Sequence, residues 1–505
     1  MHSKATHWIL LILTGVLFLM AGNVRAQNTL LDSTLIQAEE LRNEKRLEEA
    51  AKVLAHYEQL FAGNPTIERL YGQTLCQLKK IEQAKNLYQN ALRLNPSNSG
   101  LIHDYAQLLL NLKDYKTAEK ILRELKKSDF TTLFLLGKAS YYAGHEKKAL
   151  YFLKKALELK PDNNNAQNLY REVHQIVSPK LQIAGSFRSD SQPLKGYGTH
   201  AVFQYYISKL LNLSLYGGIN HYSGTSNSNN ITYFKIREAF ESFKGTTQMS
   251  LTLGKLYSGG NKRSDWSGDF QIKQALFKSL YLKGGAVRHN YDYTLAGVLS
   301  LLMYHTYSLE LSIGSIEKWN GLIGSSLDIF PDNNSIITYF VSFQSKPVKL
   351  NPFSIAFGYA FNYMNSKEDR FGSVLSATEL LDMALPPNTV TPIQGTYGSY
   401  YTPLQQFSNS LTTSISYQSG AITVNGNISV GIYAETNAPL LSLSTQYDGF
   451  RILKKYQLKN FVPINLGTSF LSRLGSQWNM EVNYTFTRTY FYDSHNLVLR
   501  LKYSF

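Results

Sequence analysis

Cysteine is all but absent, with Cys76 alone in 505 residues. That excludes a disulfide framework, a thiolate zinc site and CxxC redox chemistry. Charge is scarce too: Asp, Glu, Lys and Arg make up 17% of the chain, against about 25% in ordinary soluble domains. Mean hydropathy is nevertheless negative, at -0.23, so the apolar residues are not gathered into a bundle of membrane-spanning helices. The sequence lacks HExxH, GxSxG, a P-loop and a glycine-rich dinucleotide turn, the signatures of metalloprotease, hydrolase and nucleotide chemistry. Its 11 histidines are scattered without metal-ligand spacing. The acidic pair Glu368-Asp369 reads as a solvated turn. The chain is therefore not expected to be an enzyme, and neither cofactor nor metal is expected. What it has instead is 35 tyrosines and 26 phenylalanines. Many aromatics, few charges and low mean hydropathy are produced when lipid-facing and water-facing residues alternate along strands.

Residues 1–26 read as a secretory signal peptide. Lys4 supplies the basic start, Trp8 to Met20 the apolar run, and Val24-Arg25-Ala26 a small-x-small end before Gln27. The apolar run is about 13 residues, short of the about 20 that span a bilayer as a helix. The expectation is an exported chain. The net charge of +15 suits nucleic acid, anionic lipid or an acidic polymer. The spread of the basic residues and the export signal both argue against nucleic acid.

From about 31 to 165 the sequence repeats with a period of 34: Ala50, Ala84 and Ala118 fall at that interval, and Ala149 follows after 31. Around Ala84 lie Gly72, Tyr88, Ala91 and Pro96; around Ala149 lie Gly137, Gly144, Ala156 and Pro161. Small residues let the two helices of a hairpin approach closely, and the proline ends the second helix before the next repeat. These positions resemble a tetratricopeptide repeat. Four repeats are expected, the first and third carrying Ala38 and Ala106 at the glycine position, and the third shortened near "KKSDF". Residues 164–176 are expected to add a capping helix, and Pro179 marks the boundary. The expected layout is thus a signal peptide at 1–26, a helical repeat domain at 27–178 and a β-barrel at 179–505.

Beyond about 181 the pattern changes to period two. In the last segment Leu497, Leu499, Leu501, Tyr503 and Phe505 fall on one face, and Val498, Arg500, Lys502 and Ser504 on the other. "FSIAFGYAFNYM" alternates aromatic and aliphatic residues with Ser354, Ala356, Gly358, Ala360 and Asn362. "EVNYTFTRTYF" sets Val482, Tyr484 and Phe486 against Asn483, Thr485 and Thr487. Small and polar residues opposite aromatics favour a water-filled interior over a packed core. Arg500, Lys502, Asn483 and Thr485 are therefore candidate lumen residues. At about 20 residues per strand and turn, the segment accommodates about 16 strands, with 14 or 18 open. A barrel of that width encloses an aqueous channel. If the barrel lysines face inward, its excess of positive charge favours an anionic polymer. The stretches 366–399 and 436–460 fall at extracellular loops, and "GSVLSATELLDMAL" in the first is a candidate short helix over or inside the pore.

A signal peptide, tetratricopeptide repeats and a C-terminal barrel together resemble the exopolysaccharide export channels. Among these the likeness is to the outer-membrane subunit of bacterial cellulose synthase, with the poly-N-acetylglucosamine export porin sharing the layout. "YGSYYTPLQQFSNSLTTSISY" is similar to a glycine-tyrosine-tyrosine-serine-proline-glutamine segment of the cellulose-subunit barrel, through Gly398, Tyr400, Tyr401, Pro403 and Gln405 or Gln406. Ser399 interrupts the glycine-tyrosine step, Thr402 replaces the serine, and Leu404 is inserted. The resemblance implies an outer-membrane channel of a Gram-negative bacterium, with the helical domain in the periplasm. Its implied partners are membrane lipid, the exported polysaccharide, and periplasmic or inner-membrane biosynthetic proteins docked on the repeats. It makes Tyr400, Tyr401, Gln405 and Gln406 candidate glycan or loop contacts. The cellulose subunit carries a much longer repeat array, a departure that bears on direct contact with a synthase. Two alternatives stay open: a translocator for protein secretion or surface-protein assembly, and a general porin with a scaffolding repeat domain.

The terminal aromatics Tyr503 and Phe505 resemble the signal by which outer-membrane barrels are recognised for assembly. Deleting Phe505 is expected to lower the yield of assembled barrel while leaving the repeat domain folded. Heat-modifiable mobility on gels reads this, and equal yields from both proteins would count against it.

Overall fold

The computed structural model describes residues 31–60, 62–125, 128–192, 194–208, 210–241, 246–277, 279–314, 319–383, 385–446, 449–475 and 477–505. The signal-peptide segment lies outside these residues, as do 126–127 of the shortened third repeat. The chain divides into two compact units between Ile176 and Val177.

The first unit is a run of antiparallel helix pairs. Residues 31–43 form α1, followed by α2 (Leu47–Leu60), α3 (Pro65–Gln77), α4 (Ile81–Leu94), α5 (Ser99–Asn111), α6 (Tyr115–Glu124), α7 (Phe130–Tyr142), α8 (Glu146–Leu159) and the terminal α9 (Asn164–Val177). The start of each first helix is written in the sequence. Asn64 accepts from the N–H groups of Thr66 and Ile67 ahead of Pro65, Asn98 accepts from Leu101, and Asp129 accepts from Thr132. Such caps satisfy backbone donors that a helix end leaves unpaired. Within each pair the turn needs one left-handed residue, supplied by Lys45, Lys79, Lys113 and Gly144.

The repeated small residues lie where the helices touch. Ala50, Ala84, Ala91, Ala118, Ala149 and Ala156 are all fully buried. Ala38 and Ala106, at the glycine position, are fully buried as well. Gly72 leaves room for the ring of the buried Tyr88, and a Cβ on Gly137 would sit 2.7 Å from Leu153 Cγ. Pro96 and Pro161 stand just past α4 and α8, where a missing N–H costs no helix bond.

The second unit is a closed antiparallel barrel of 16 strands. In chain order its strands are β1 (Lys180–Asp190), β2 (Lys195–Ser208), β3 (Leu211–Ser223), β4 (Ser228–Glu241), β5 (Thr247–Ser258), β6 (Arg263–Phe277), β7 (Leu280–Asn290), then α10 (Leu295–Ser300), β8 (Met303–Ile313), β9 (Asn320–Ile329) and β10 (Ser335–Gln344). The short β11 (Val348–Leu350) precedes β12 (Phe353–Ser366). A long excursion then holds β13 (Phe371–Ser373), α11 (Ala377–Leu381), β14 (Val390–Ile393) and β15 (Gly395–Tyr397). The wall resumes with β16 (Gln406–Ser419), β17 (Ile422–Gln446), β19 (Ile464–Arg473), β20 (Trp478–Arg488) and β21 (Asp493–Ser504), while β18 (Gly449–Asn460) folds back on the outer half of β17. Every wall strand pairs with its predecessor, and β1 closes the circle on β21, Lys180 opposite Ser504 and Asp190 opposite Ser494. The rim holding Lys180 and Ser504 is called the near end, the opposite rim the far end.

The alternation predicted for the last strands is present. Leu497, Leu499 and Leu501 are exposed on the outer face, as are Phe357, Tyr359 and Tyr484. Exposed apolar residues on alternate positions all round the wall (Phe234, Leu253, Leu309, Ile323 and Val341 among them) form the band that a barrel turns to lipid. "PDNN" closes the β9–β10 hairpin; "EKWNG" runs into β9, which begins at Asn320, with 315–318 outside the described residues. The stretch 436–460, expected as a loop, is instead the arm in which Glu435 to Gln446 of β17 pair with Asn460 to Gly449 of β18.

Residues 27–178 expressed alone are expected to give a helical circular-dichroism spectrum and a cooperative melt. Gly72→Ala should lower that unit's stability by about 1–3 kcal/mol through overpacking against Tyr88. An unchanged melting temperature would contradict the packing described.

Candidate functional site

The inner wall follows from the pleat. Facing residues share one side of the sheet, so the partners of each inward residue are inward too. Asn483 faces Val498 and Thr485 faces Asn496 on β20 and β21. Thr485 lines a cavity of about 750 Å³ together with Ser342, Thr412, Asn427 and Asn465. Nearer the rim, Arg500 and Lys502 line a second cavity of about 570 Å³ with Arg473, Asn479 and Glu481. Arg500 Nη1 contacts Glu481 Oε1 at 2.7 Å. The four candidate lumen residues thus all stand on the inner face, Asn483 donating to Glu481 Oε1 at 2.5 Å.

At the far end the lumen is roofed by two segments that rest on each other. One is 291–302, between β7 and β8. Thr294 caps α10 by accepting from Gly297 N–H at 3.1 Å, while its hydroxyl donates to the Ser399 carbonyl at 2.6 Å. Val298 and Leu301 are buried against Leu194, Tyr222, Ile231 and Leu256, so this loop crosses the mouth to the inner faces of β3 to β5. Asn229 holds it there, donating to the Val298 carbonyl at 2.9 Å. Arg188 donates to the Asp292 carbonyl at 3.0 Å and lies 5.0 Å from the Tyr293 ring.

The second segment is the end of the β12–β16 excursion. Tyr304, Phe330 and Tyr400 form a column, with Phe330 stacked on Tyr304 at 5.0 Å and on Tyr400 at 3.7 Å. Tyr291 packs edge-on to all three, and its hydroxyl accepts from Tyr401 N–H at 3.1 Å. Tyr401 stacks on Phe491 at 4.8 Å, with Tyr397 edge-on to both. Paired rings of this kind add to the burial of their apolar area.

Tyr400 and Tyr401, read from the sequence as glycan or loop contacts, are therefore packed inside the roof. Tyr400 is 4% exposed, and its hydroxyl donates to Asp332 at 2.7 Å. Tyr401 donates to Gln406 Oε1 at 2.5 Å. Gln405 accepts from Asn437 Nδ2 at 2.6 Å, which ties the excursion to the arm. All four are loop-fixing residues in this structure, with no ring face open to a solute at Tyr400.

The apolar stretch within 366–399 goes elsewhere than the mouth. The expected short helix is α11, opened by a Ser376/Glu379 capping box. Only Leu380 of its leucines is buried; Leu381 is 62% exposed and Leu375 half-buried. β14 pairs with the arm, Val390 opposite Ser444, and Lys454 of the arm reaches Asp369 at 3.0 Å. The segment that enters the mouth is 397–401, joined by 291–302, which sequence reasoning missed. The available signal was "YDYTLAGVLSLLMYH": a capping threonine before an apolar run too short for a barrel strand and too long for a tight turn.

A profile for the tetratricopeptide repeat matches residues 77–135. A DnaJ homolog subfamily C member 7 homolog of Schizosaccharomyces pombe is 33% identical over 86 residues, 16% of this chain and 18% of that protein. The chain therefore spans less than a fifth of that relative's length. Among solved structures, a bacterial polysaccharide outer membrane secretin superposes with a TM-score of 0.46 at 10% identity, over 65% of this chain and 99% of that one. MamA from Desulfovibrio magneticus RS-1 superposes with a TM-score of 0.26 at 20% identity, over 28% of this chain and 81% of that one.

The roof carries a titratable clasp. Burial alone would raise the Asp332 carboxyl, but hydrogen bonds from Tyr400 and Arg370 outweigh it and hold the group below the ordinary carboxylate range. A depressed carboxyl contributes fully above its unfolded value of about 3.9 and loses that contribution as pH falls through the folded value. Bilayer conductance is thus expected to stay flat from neutral pH to about 5 and to rise below about 4. Thr294→Val combined with Tyr400→Ala should raise conductance at neutral pH with the barrel still heat-modifiable. Unchanged conductance in that variant would show that the two segments do not obstruct the pore.

Proposed function

We propose that this chain is an outer-membrane channel that exports an exopolysaccharide, with the repeat domain on the periplasmic side. The observation that carries the reading is the joining of a helical repeat unit to a closed barrel whose inner wall is hydroxyl- and amide-rich and whose far mouth is covered by aromatic loops. A lumen of polar side chains can exchange hydrogen bonds with a hydrated glycan, each weak enough to release. In this reading the two segments packed across the mouth restrict small solutes, which an always-open general porin would pass.

In this reading the near end faces the periplasm and the far end the medium. The repeat unit binds periplasmic partners or guides the polymer, as stacked helical repeats generally serve binding. Four repeats at about 10 Å each, the diameter of a helix, extend about 40 Å. Contact with an inner-membrane synthase then needs a further bridging component.

Removal of the chain from its host should leave polymer retained inside the cell envelope and absent from the medium, as carbohydrate analysis of the two fractions would read. Re-expression should restore export. Normal polymer in the medium together with loss of a surface protein would replace this function with protein translocation.

A further inference from the structure

Charge on the inner wall is spread unevenly along the pore. The register carries the inward side from strand to strand, and it places Lys180, Arg473, Arg500 and Lys502 inside on β1, β19 and β21. It does the same for Arg237, Lys273 and Lys283 on β4, β6 and β7, and for Lys349 on β11. All of them stand within five residues of the near ends of their strands. The inward acids at that end, among the described residues, are Glu241, Glu310 and Glu481. Farther along the wall, Arg188, Lys235 and Arg263 stand against Asp190, Asp265, Asp269 and Asp328. The near mouth is therefore strongly positive, and the rest of the wall is close to balance.

The near cations crowd one another. Lys273 stands directly opposite Lys283 across β6 and β7. Lys180 is the diagonal neighbour of Lys502, whose direct partner on β1 is Gln182. Like charges so placed cost a sheet stability. Two of the three acids are already engaged, Glu481 at 2.7 Å from Arg500 and Glu310 at 3.5 Å from Lys283. Arg473, Arg500 and Lys502 share the cavity of about 570 Å³ with Gln182, Gln418 and Asn479. Arg237, Lys273 and Lys283 line another, of about 260 Å³.

On the premise that the barrel exports a glycan entering at the near end, we infer that the glycan is acidic and is captured by this cationic collar. Fixed cations around a mouth with low-dielectric walls focus a positive potential and raise the local concentration of an anionic chain. A carboxylate arriving between Lys273 and Lys283, or between Lys180 and Lys502, relieves the repulsion that the fold leaves in place. The guanidinium groups of Arg473 and Arg237 can hold a carboxylate through two parallel hydrogen bonds. Next to the collar, Ser342, Thr412, Asn427 and Asn465 offer neutral hydroxyls and amides. A polymer gripped at entry thus moves on over hydrogen bonds weak enough to exchange.

Calorimetric titration of the detergent-solubilised full chain at neutral pH tests this with three hexasaccharides: a hexagalacturonate, a neutral glucose hexamer and a hexaglucosamine. The uronate hexamer is expected to bind about tenfold more tightly than either of the others. Its affinity should fall severalfold as salt rises from about 50 to about 500 mM. Lys502→Gln combined with Arg473→Gln should weaken it about tenfold, while Lys235→Gln, farther along the wall, should leave it within about threefold. Charge reversal, Lys502→Glu with Arg473→Glu, should turn the preference toward the glucosamine hexamer. Heat-modifiability confirms that each variant barrel is assembled. Tighter binding of the glucose or glucosamine hexamer by the unaltered chain would overturn the inference and leave the export of a glycan standing. Uronate binding indifferent to the substitutions in the collar would do the same. Failure of all three hexamers to bind would overturn both.

Discussion

A strand in lipid cannot leave its backbone polar groups unpaired, because hydrocarbon offers them no partner. Everything in the second unit depends on meeting that demand through closure of β1 on β21. Closure fixes the even number of wall strands that lets both ends of the barrel segment share one rim. It also forces strict alternation, since a residue that faces lipid must have neighbours that face water. The hydroxyl-rich lumen is thus a by-product of building a wall, and the chemistry of the inner positions is free to vary without touching closure.

Much of this was legible in the sequence because each element announces itself by a short period. Alanines at 34-residue intervals placed the helix contacts, and all of them are buried. Period two gave the inner and outer faces of β12, β20 and β21, and chain length gave the strand number. The loops were less legible for a physical reason. Two apolar stretches, one around Val298 and one around Leu380, have similar composition. Which enters the mouth depends on what waits for it. Tyr222, Ile231 and Leu256 form an apolar seat inside β3 to β5 for the first. The arm of β17 and β18, invisible as such in a stretch that reads as loop, supports the second.

Tyr400 and Tyr401 illustrate the same ambiguity in a single residue. A tyrosine offers an apolar ring and a polar tip, which suit a sugar and a protein interior equally. Here the rings are taken by Phe330 and Phe491 and the hydroxyls by Asp332 and Gln406. Local sequence records the residue type but not the distant partners that claim it, which come from the β9–β10 loop, strand β16 and the β20–β21 loop.

The mutual seating of 291–302 and 397–401 has a kinetic meaning. Thr294 holds Ser399, Tyr291 holds Tyr401, and the rings between them are shared. Withdrawal of either segment uncovers rings on which the other packs, because Tyr291 stands edge-on to Tyr304, Phe330 and Tyr400. Contacts shared in this way couple the two segments, so loosening one weakens the hold on the other. On the proposed export, a polymer emerging through the mouth would prop both segments apart while threaded, and their shared contacts would re-form on release of its end without any separate signal.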